Sequence, residues 1–435
     1  MTLEHIKTVI LILLIILSSL LTWTIWTYQP NYRVLEDEKT VQGVSLSGEE
    51  RAINEIVFPG QVYCHFSNVH YGTLDSELIE RMMKEISRWG YDHFEEISGE
   101  LEDIYDFIYR NGMTEIVFPA SVPMKVFRTF AEVKDKNTST IDFDRLVIDT
   151  NHLTKSHGYV YFVSTENLTV YRSEVPASLV ANFREQFYLP SVQSGQFYPH
   201  QMVTLENGNK LLVRTAATKM KRYSYLMDSL PAEEFKNALF NDPHFVKRNA
   251  TSSGEEYYDE STLLSINFKA NMLHYVNPAQ SKGGVMNTDR LLSQSIDFIN
   301  GHGGWTGNYR YADIDIFEKT ILFRLHHPEG YPIFSTNGIS EIYLSWGETS
   351  VTQYMRNNFS LGGKIEEEEV WMPSGLEVYN SLIKREGFQP KYLQDLVLGY
   401  KMTNHVEGKL LYLEPAWYYK YRDQWLSFPS RIGER

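Results

Sequence analysis

A stretch near the start of the chain, Val9–Trp26, limits the fold more than any other because it contains no charged side chain. A helix of roughly 20 residues crosses a hydrocarbon core of about 30 Å. The leucine, isoleucine and valine side chains of this stretch favour insertion by roughly 5 kcal/mol before the polar residues subtract. The sequence therefore predicts a single transmembrane helix over residues 8–27.

A cleaved signal peptide is the competing interpretation, and it would leave a soluble protein. Signal peptides have a shorter apolar core and small residues at the cleavage site. Here the apolar run leads into Trp23, Trp26 and Tyr28, and aromatic rings of this kind concentrate at membrane interfaces. We therefore expect an uncleaved anchor with these three residues at the interface.

The charges that flank the apolar run predict its orientation. Lys7 and the α-amine precede it, whereas Glu36, Asp37 and Glu38 follow it. Positive charge is enriched on the cytoplasmic side of membrane helices. We expect a single-pass protein of the cell membrane, with residues 1–7 in the cytoplasm and the bulk of the chain extracytoplasmic.

The composition of the chain limits the cellular locations and the kinds of partner that can be expected. The formal net charge of −14 argues against binding nucleic acid or lying on an anionic lipid surface. Cys64 is the only cysteine, so no intramolecular disulfide can form. Large extracytoplasmic chains of eukaryotes more often carry disulfides, and we therefore favour a bacterial cell surface.

The order of the predicted elements indicates an α+β fold with antiparallel sheets and packed helices. Strands and helices come in runs rather than in strict alternation, which disfavours a doubly wound sheet. After a polar tether over residues 28–50, we predict three extracytoplasmic domains. They are an α/β domain over residues 51–150, a central α+β domain over 151–250 and a C-terminal α+β domain over 251–435.

The predicted first domain contains a local repeat. Glu55–Pro59 and Glu115–Pro119 have the same sequence, and each predicts a short strand stopped by proline. Between them Asp75 is placed to cap a helix. Glu55 and Glu115 could be paired carboxylates, but we expect two solvated side chains at strand starts.

The later part of the chain has clear helix and strand patterns. Ser374 and Glu377 form a capping box that predicts the start of a helix. Another helix is predicted over Thr288–Ile299, and strands over Tyr309–Ile316, Thr320–His326 and Glu341–Trp346. The acidic run Glu366–Glu369 predicts a solvated loop.

The motifs that could carry chemistry lack their necessary context. Gly301–Gly307 is rich in glycine but follows a helix, and a turn beside a buried Trp305 is expected instead. Ser381 and Lys384 have serine–lysine acyl-transfer spacing, but the downstream elements of that chemistry are absent from the sequence. Asp313 and Asp315 alternate on a strand, where solvated carboxylates are expected rather than a cation site. We predict no enzyme, no cofactor and no metal site.

Four segments carry a resemblance to a known family. They are the amino-terminal segment with its membrane exit, Thr8–Pro30, the segment Gly304–Tyr311, the hairpin end Tyr331–Phe334 and the late segment Leu413–Trp417, and they resemble the YycH (WalH) family. The likeness reaches both ends of the chain and the order of the elements between them.

The resemblance implies regulation rather than catalysis. Members of that family are extracytoplasmic accessory proteins of the WalK/WalR (YycG/YycF) two-component system of low-GC Gram-positive bacteria. With a sister protein, YycI, they modulate the sensor histidine kinase that governs cell-wall metabolism, largely through membrane helices. The resemblance therefore implies two partners, a YycI-like protein and a WalK-type kinase, and a three-domain ectodomain without catalytic residues.

Small side chains suggest where the membrane helix meets a partner. Ser18 and Thr22 lie four residues apart, hence on one face, and this spacing lets another helix approach closely. Leu14 and Leu21 extend the same stripe. The alternative is that the hydroxyls bond back to carbonyls one turn earlier and need no partner.

A second functional hypothesis stays open. The chain could be an anchored cell-wall-associated enzyme or a ligand-binding protein whose pocket residues are scattered along the sequence. A set of polar groups converging on one concave pocket would favour that hypothesis.

Overall fold

The structure is a computed structural model that describes residues 49–428, apart from residues 68, 279–285 and 406–408, together with His5 and positions 11, 13–15 and 17–22. No helix within this described part is both long enough and apolar enough to cross a membrane. The predicted transmembrane helix, residues 8–27, is thus described only in part. The predicted tether, residues 28–50, lies outside the described residues except for its last two positions.

A nine-stranded antiparallel sheet forms the first half of the folded region after residue 49. Its spatial order is β3-β7-β6-β5-β4-β1-β2-β8-β9. With strands numbered along the chain, these are β1 (Gln61–Phe66), β2 (Val69–Thr73), β3 (Asp92–Glu96), β4 (Met113–Pro123), β5 (Asp142–Asp149), β6 (His157–Ser164), β7 (Thr169–Pro176), β8 (Tyr198–Thr204) and β9 (Lys210–Arg214).

Two further sheets contain the remaining strands that the structure describes. The eight-stranded sheet has β11 (Lys247–Ala250), β12 (Gly254–Tyr258), β13 (Leu263–Asn267), β14 (Met272–Val276), β15 (Tyr309–Asp315), β16 (Thr320–Leu325), β18 (Glu341–Trp346) and β19 (Val351–Asn357). The six-stranded sheet has β10 (Thr218–Ser229), β17 (Ile333–Phe334), β20 (Phe359–Met372), β21 (Leu393–His405), β22 (Leu410–Tyr421) and β23 (Gln424–Ser427). Only β17 with β21 pairs in parallel among these described strands.

Short helices lie between the strands of these sheets. They are α1 (Ile53–Ile56), α2 (Ser76–Ile86), α3 (Ile104–Ile108), α4 (Met124–Phe127), α5 (Ala177–Phe183), α6 (Ala232–Leu239), α7 (Thr288–Gly301) and α8 (Gly375–Leu382). The mixed α+β architecture with antiparallel sheets agrees with the fold class predicted from the order of elements.

The predicted helix starts were confirmed. Asp75 caps α2 by accepting the backbone N–H of Leu78 at 3.0 Å. At α8 the Ser374 Oγ accepts the N–H of Glu377 at 3.2 Å, and the Glu377 carboxylate accepts the N–H of Ser374 at 2.8 Å. Each reciprocal bond satisfies a backbone donor that has no partner inside its helix.

Two local predictions were wrong because tertiary pairing overrides local propensity. The first copy of the repeat, Glu55–Pro59, was predicted as a strand, but Ile53–Ile56 is a helical turn whose Glu55 carboxylate accepts the N–H of Ala52 at 3.1 Å. The acidic run Glu366–Glu369 is exposed as expected, yet it belongs to strand β20.

Cross-strand ion pairs account for the strand at the acidic run. Three basic side chains of β10 face it: Lys219 lies 2.7 Å from Glu369, Lys221 lies 2.9 Å from Glu367, and Arg222 lies 3.1 Å from Glu368. Opposite charges placed directly across an antiparallel pair stabilise it. Three of the four acids that look like a loop in sequence are thus paired with basic side chains of a neighbouring strand.

The glycine-rich segment is a structural turn, as predicted. Trp305 is buried and its Nε1 donates to the Asn300 side-chain oxygen at 2.7 Å. The fully buried Arg356 donates to the Gly304 carbonyl at 2.9 Å and to the Thr306 hydroxyl at 2.8 Å. These bonds hold the turn against β19.

The sheets do not follow the predicted domain boundaries. Strands on both sides of residue 150 belong to the nine-stranded sheet, because β5 pairs with both β4 and β6. Strands from residues 151–250 are shared among all three sheets. The three-domain division stays a prediction.

Removing the buried side chain of α8 tests this packing. Leu382 is fully buried, so Leu382→Ala should lower the free energy of unfolding by about 2–5 kcal/mol. The neighbouring Ser381→Ala provides the control, because Ser381 bonds only to a carbonyl of its own helix, and it should change stability by less than about 0.5 kcal/mol. Urea denaturation of both variants decides; equal stabilities would contradict the packing of α8.

Candidate functional site

The predicted membrane contact residues lie on the described part of the N-terminal helix. Leu14, Ser18, Leu21 and Thr22 are helical and exposed, whereas Trp23, Trp26 and Tyr28 lie outside the described residues. The Thr22 hydroxyl donates to the Ser18 carbonyl at 2.9 Å. This is the internal bond of the alternative interpretation, so the Thr22 hydroxyl already has an acceptor. The small side chains still leave room for close approach of another helix.

The same segment exposes large apolar side chains. Their exposed fractions range from 49% to 62%, and they belong to Leu11, Leu13, Leu14, Ile15, Leu17, Leu20 and Leu21. Water penalises such surface by about 25 cal/mol per Å². A contiguous apolar surface of this kind indicates contact with a membrane or with another protein.

A buried charged cluster occupies the centre of the nine-stranded sheet. Glu115 on β4 is only 2% exposed; its Oε1 lies 2.8 Å from Arg145 Nε and its Oε2 lies 3.4 Å from His65 Nε2. The expectation that Glu115 is solvated was therefore wrong. Glu115 is buried because β4 lies between β1 and β5. The second copy of the repeat is therefore covered by strands on both sides.

A row of histidines continues from this cluster across the sheet. The pairing register places His65 opposite His70, His70 opposite His200, and His200 opposite Arg214. Residues directly opposite one another share a face of the sheet, and the His65 and His70 Nδ1 atoms lie 2.8 Å apart. Polar side chains thus line one face of four adjacent strands.

Burial keeps two of these histidines neutral. Desolvation, with a smaller contribution from His65, lowers the pKa of His70 to about 4. Desolvation also lowers the pKa of His200 to about 3, and Arg214 adds to the effect. At neutral pH both rings therefore act as uncharged hydrogen-bonding groups.

Because Gly72 has no side chain, it leaves room for the Tyr63 ring beside the histidine row. A Cβ atom at Gly72 would lie 2.6 Å from the Tyr63 ring and 2.7 Å from the His200 ring. The two rings meet edge to face with their centroids 5.2 Å apart. Any larger residue at this position would displace one of the rings.

Two clefts open between the sheets: the first between the nine- and six-stranded sheets, the second where all three sheets contribute residues. The first has a volume of about 490 Å³ and is lined by Tyr63 of β1, Arg214 of β9, Tyr331 before β17 and Trp417 of β22, among others. The second, about 800 Å³, contains Arg324 of β16. Sequence patterns could not find these residues, because they come from distant strands and share no motif.

The motifs considered for chemistry have structural roles. Ser381 donates to the Glu377 carbonyl at 2.8 Å. The partner of its hydroxyl in this contact is thus a backbone carbonyl and not a general base. Asp315 accepts the N–H groups of Phe317 and Glu318 and shapes the turn after β15. No group of His, Cys, Asp and Glu side chains suited to hold a metal occurs in the described part of the chain.

The histidine row predicts acid sensitivity. Folding lowers the pKa of such a histidine. At a pH between its folded and unfolded pKa values, the histidine is therefore protonated only in the unfolded state. The free energy of unfolding should therefore fall as pH drops from about 6.5 towards about 4. His70→Gln should flatten this fall, whereas the exposed His244→Gln should not. Urea denaturation at pH 7 and pH 5 measures the change in the free energy of unfolding. An equal change in wild type and in His70→Gln would contradict the expected effect of His70.

Comparison with known proteins covers nearly the whole chain. Residues 4–188 match the YycH protein, N-terminal domain, and residues 208–431 match the YycH protein, C-terminal domain. A Bacillus subtilis (strain 168) protein, "Two-component system WalR/WalK regulatory protein YycH", is 23% identical over 431 residues, which are 95% of this chain and 94% of that protein. The crystal structure of YycH from Bacillus subtilis has the same fold, with a TM-score of 0.74 at 20% identity over 88% of this chain and 98% of that one. The chain belongs to the YycH family.

Proposed function

We propose that this chain is a membrane-anchored, extracytoplasmic regulator of a WalK-type sensor histidine kinase that controls cell-wall metabolism. It acts together with a YycI-like sister protein. Family membership supports a regulatory role, since the Bacillus subtilis relative is named as a regulatory protein of the WalR/WalK system.

The observation that carries the proposal is the exposed apolar surface of the N-terminal segment. Leu11, Leu14 and Leu17 each expose about half or more of their surface, which water would not favour. Insertion into lipid covers these side chains. With residues 1–7 in the cytoplasm, Trp23, Trp26 and Tyr28 take the outer interface, and the sheets lie outside the cell.

Contact between membrane helices then couples the ectodomain to the kinase. The Ser18–Thr22 pair provides a face of small side chains on which a helix of the sister protein or the kinase can pack. Because Thr22 bonds to the Ser18 carbonyl, the contact depends on close packing rather than on a hydroxyl bond between helices. Leu14 and Leu21 flank that surface.

The name of the relative supports regulation rather than catalysis. In the described part of the chain, His65 and His70 are buried in the sheet, and Ser381 bonds within its own helix. A regulator needs none of these groups to react. An anchored ligand-binding protein remains a second candidate, and the cleft beside Arg214 favours it; the two roles are compatible in one chain.

Filling the small-residue face should weaken association. Ser18→Leu combined with Thr22→Leu adds bulk where helices approach, yet it keeps the segment apolar, so insertion and ectodomain folding should be unchanged. Crosslinking in membranes at matched expression should show a several-fold loss of association with the sister protein and the kinase.

Matched substitutions elsewhere on the helix are the control. Ile12→Leu and Leu13→Ile conserve volume and should leave association at the wild-type level. If the Ser18→Leu/Thr22→Leu chain also associates at that level, the helix face is not the contact and the ectodomain must provide it.

A further inference from the structure

We propose that the cleft beside Arg214 binds a small ligand that presents a carboxylate to this arginine and an apolar group to the cleft wall. This inference goes beyond regulation through the membrane helix. It begins with the surroundings of one buried cation.

Arg214 ends β9 and is only 7% exposed. Its guanidinium carbon lies 3.4 Å from the centre of the Tyr198 ring, and Tyr331 lines the same cleft. Its buried Nε has no hydrogen-bond partner. The structure provides no carboxylate partner for Arg214 among the residues that it describes. An unpaired buried charge is costly, so this guanidinium is suited to an external anion.

A second arginine of similar surroundings shows one way in which the fold satisfies such a group. Arg324 has the same exposure of 7% and also lies over an aromatic ring, that of Phe334, at 4.5 Å. Arg324, however, donates to the Glu341 carboxylate at 2.8 Å. The difference between the two sites is the missing carboxylate, which identifies the chemistry that the Arg214 site lacks.

Acidic side chains around the cleft are occupied or face solvent. Asp75 accepts the Leu78 N–H and the Gln196 side-chain amide, each at 3.0 Å. Glu329 accepts the Tyr223 hydroxyl at 3.2 Å, and Glu77 is exposed. None of these carboxylates forms an ion pair with Arg214 in the described structure.

The size and walls of the cleft restrict the rest of the ligand. A volume of about 490 Å³ is in the range of small-molecule sites. Leu212, Leu398 and Trp417 supply apolar surface, and His200 is neutral, so Arg214 is the buried cation of the site. A planar carboxylate matches the guanidinium fork better than a lone point charge does. An acylated amino acid or the carboxyl end of a short peptide has both required features.

Three probes test this chemistry on the full chain in detergent. N-acetyl-leucine carries the carboxylate, N-acetyl-leucinamide is its neutral match, and inorganic phosphate is an anion without the apolar part. Saturation-transfer NMR should detect binding of N-acetyl-leucine at millimolar concentration. The amide should bind at least about tenfold more weakly, because it cannot form the charge-assisted pair with the guanidinium. Phosphate should compete poorly.

Variants locate the binding. Arg214→Met and Arg214→Lys should each weaken N-acetyl-leucine binding about tenfold or more, because lysine keeps the charge but loses the fork. Arg324→Met, at the paired arginine, should bind like the wild type. If Arg214→Met does not fold, Arg214→Lys and Tyr331→Phe carry the test.

Several outcomes would overturn the proposal. They are no saturable binding of N-acetyl-leucine, equal binding of its amide, displacement by phosphate at equal concentration, or unchanged binding in Arg214→Lys. None of these measurements involves a kinase, so failure here leaves the regulatory proposal standing, and loss of that proposal leaves the binding result intact.

Discussion

Pairing between strands far apart in the chain is the constraint on which the folded region depends. β10 pairs with β20 on one side and with β22 on the other, which brings the middle of the chain against its end. Closing such long loops costs entropy that only the completed sheet and its buried side chains can offset. The first cleft lies between the six-stranded and nine-stranded sheets, where Trp417 of β22 and Arg214 of β9 line one cavity.

Local structure could be predicted from sequence where the signal is local. The cap at Asp75, the box at Ser374 and the turn at Trp305 depend on neighbours a few residues away, and all were confirmed. The repeat shows the limit of such reasoning. Glu55–Pro59 and Glu115–Pro119 are identical in sequence, yet one lies at a helical turn and the other in a central strand that buries its glutamate. What differs is the strands that pair with the second copy.

The candidate functional residues also fall into two groups, those that the sequence predicts and those that only the pairing of strands brings together. The membrane face at Ser18 and Thr22 could be proposed from spacing alone, because helical periodicity determines which residues share a face. The histidine row and the cleft could not, since register across β1, β2, β8 and β9 aligns them. In the described part of the chain, that row ends at the buried Arg214, whose Nε has no hydrogen-bond partner.

Purification of the full chain from membranes of its host tests the central claim most directly. The chain should fractionate with the membrane, and its purified form should keep residues 1–30. A YycI-like protein and a WalK-type histidine kinase should purify with it. Their amounts should fall for Ser18→Leu/Thr22→Leu. A chain recovered in the soluble fraction with an N-terminus beyond Trp26, free of any kinase, would contradict it.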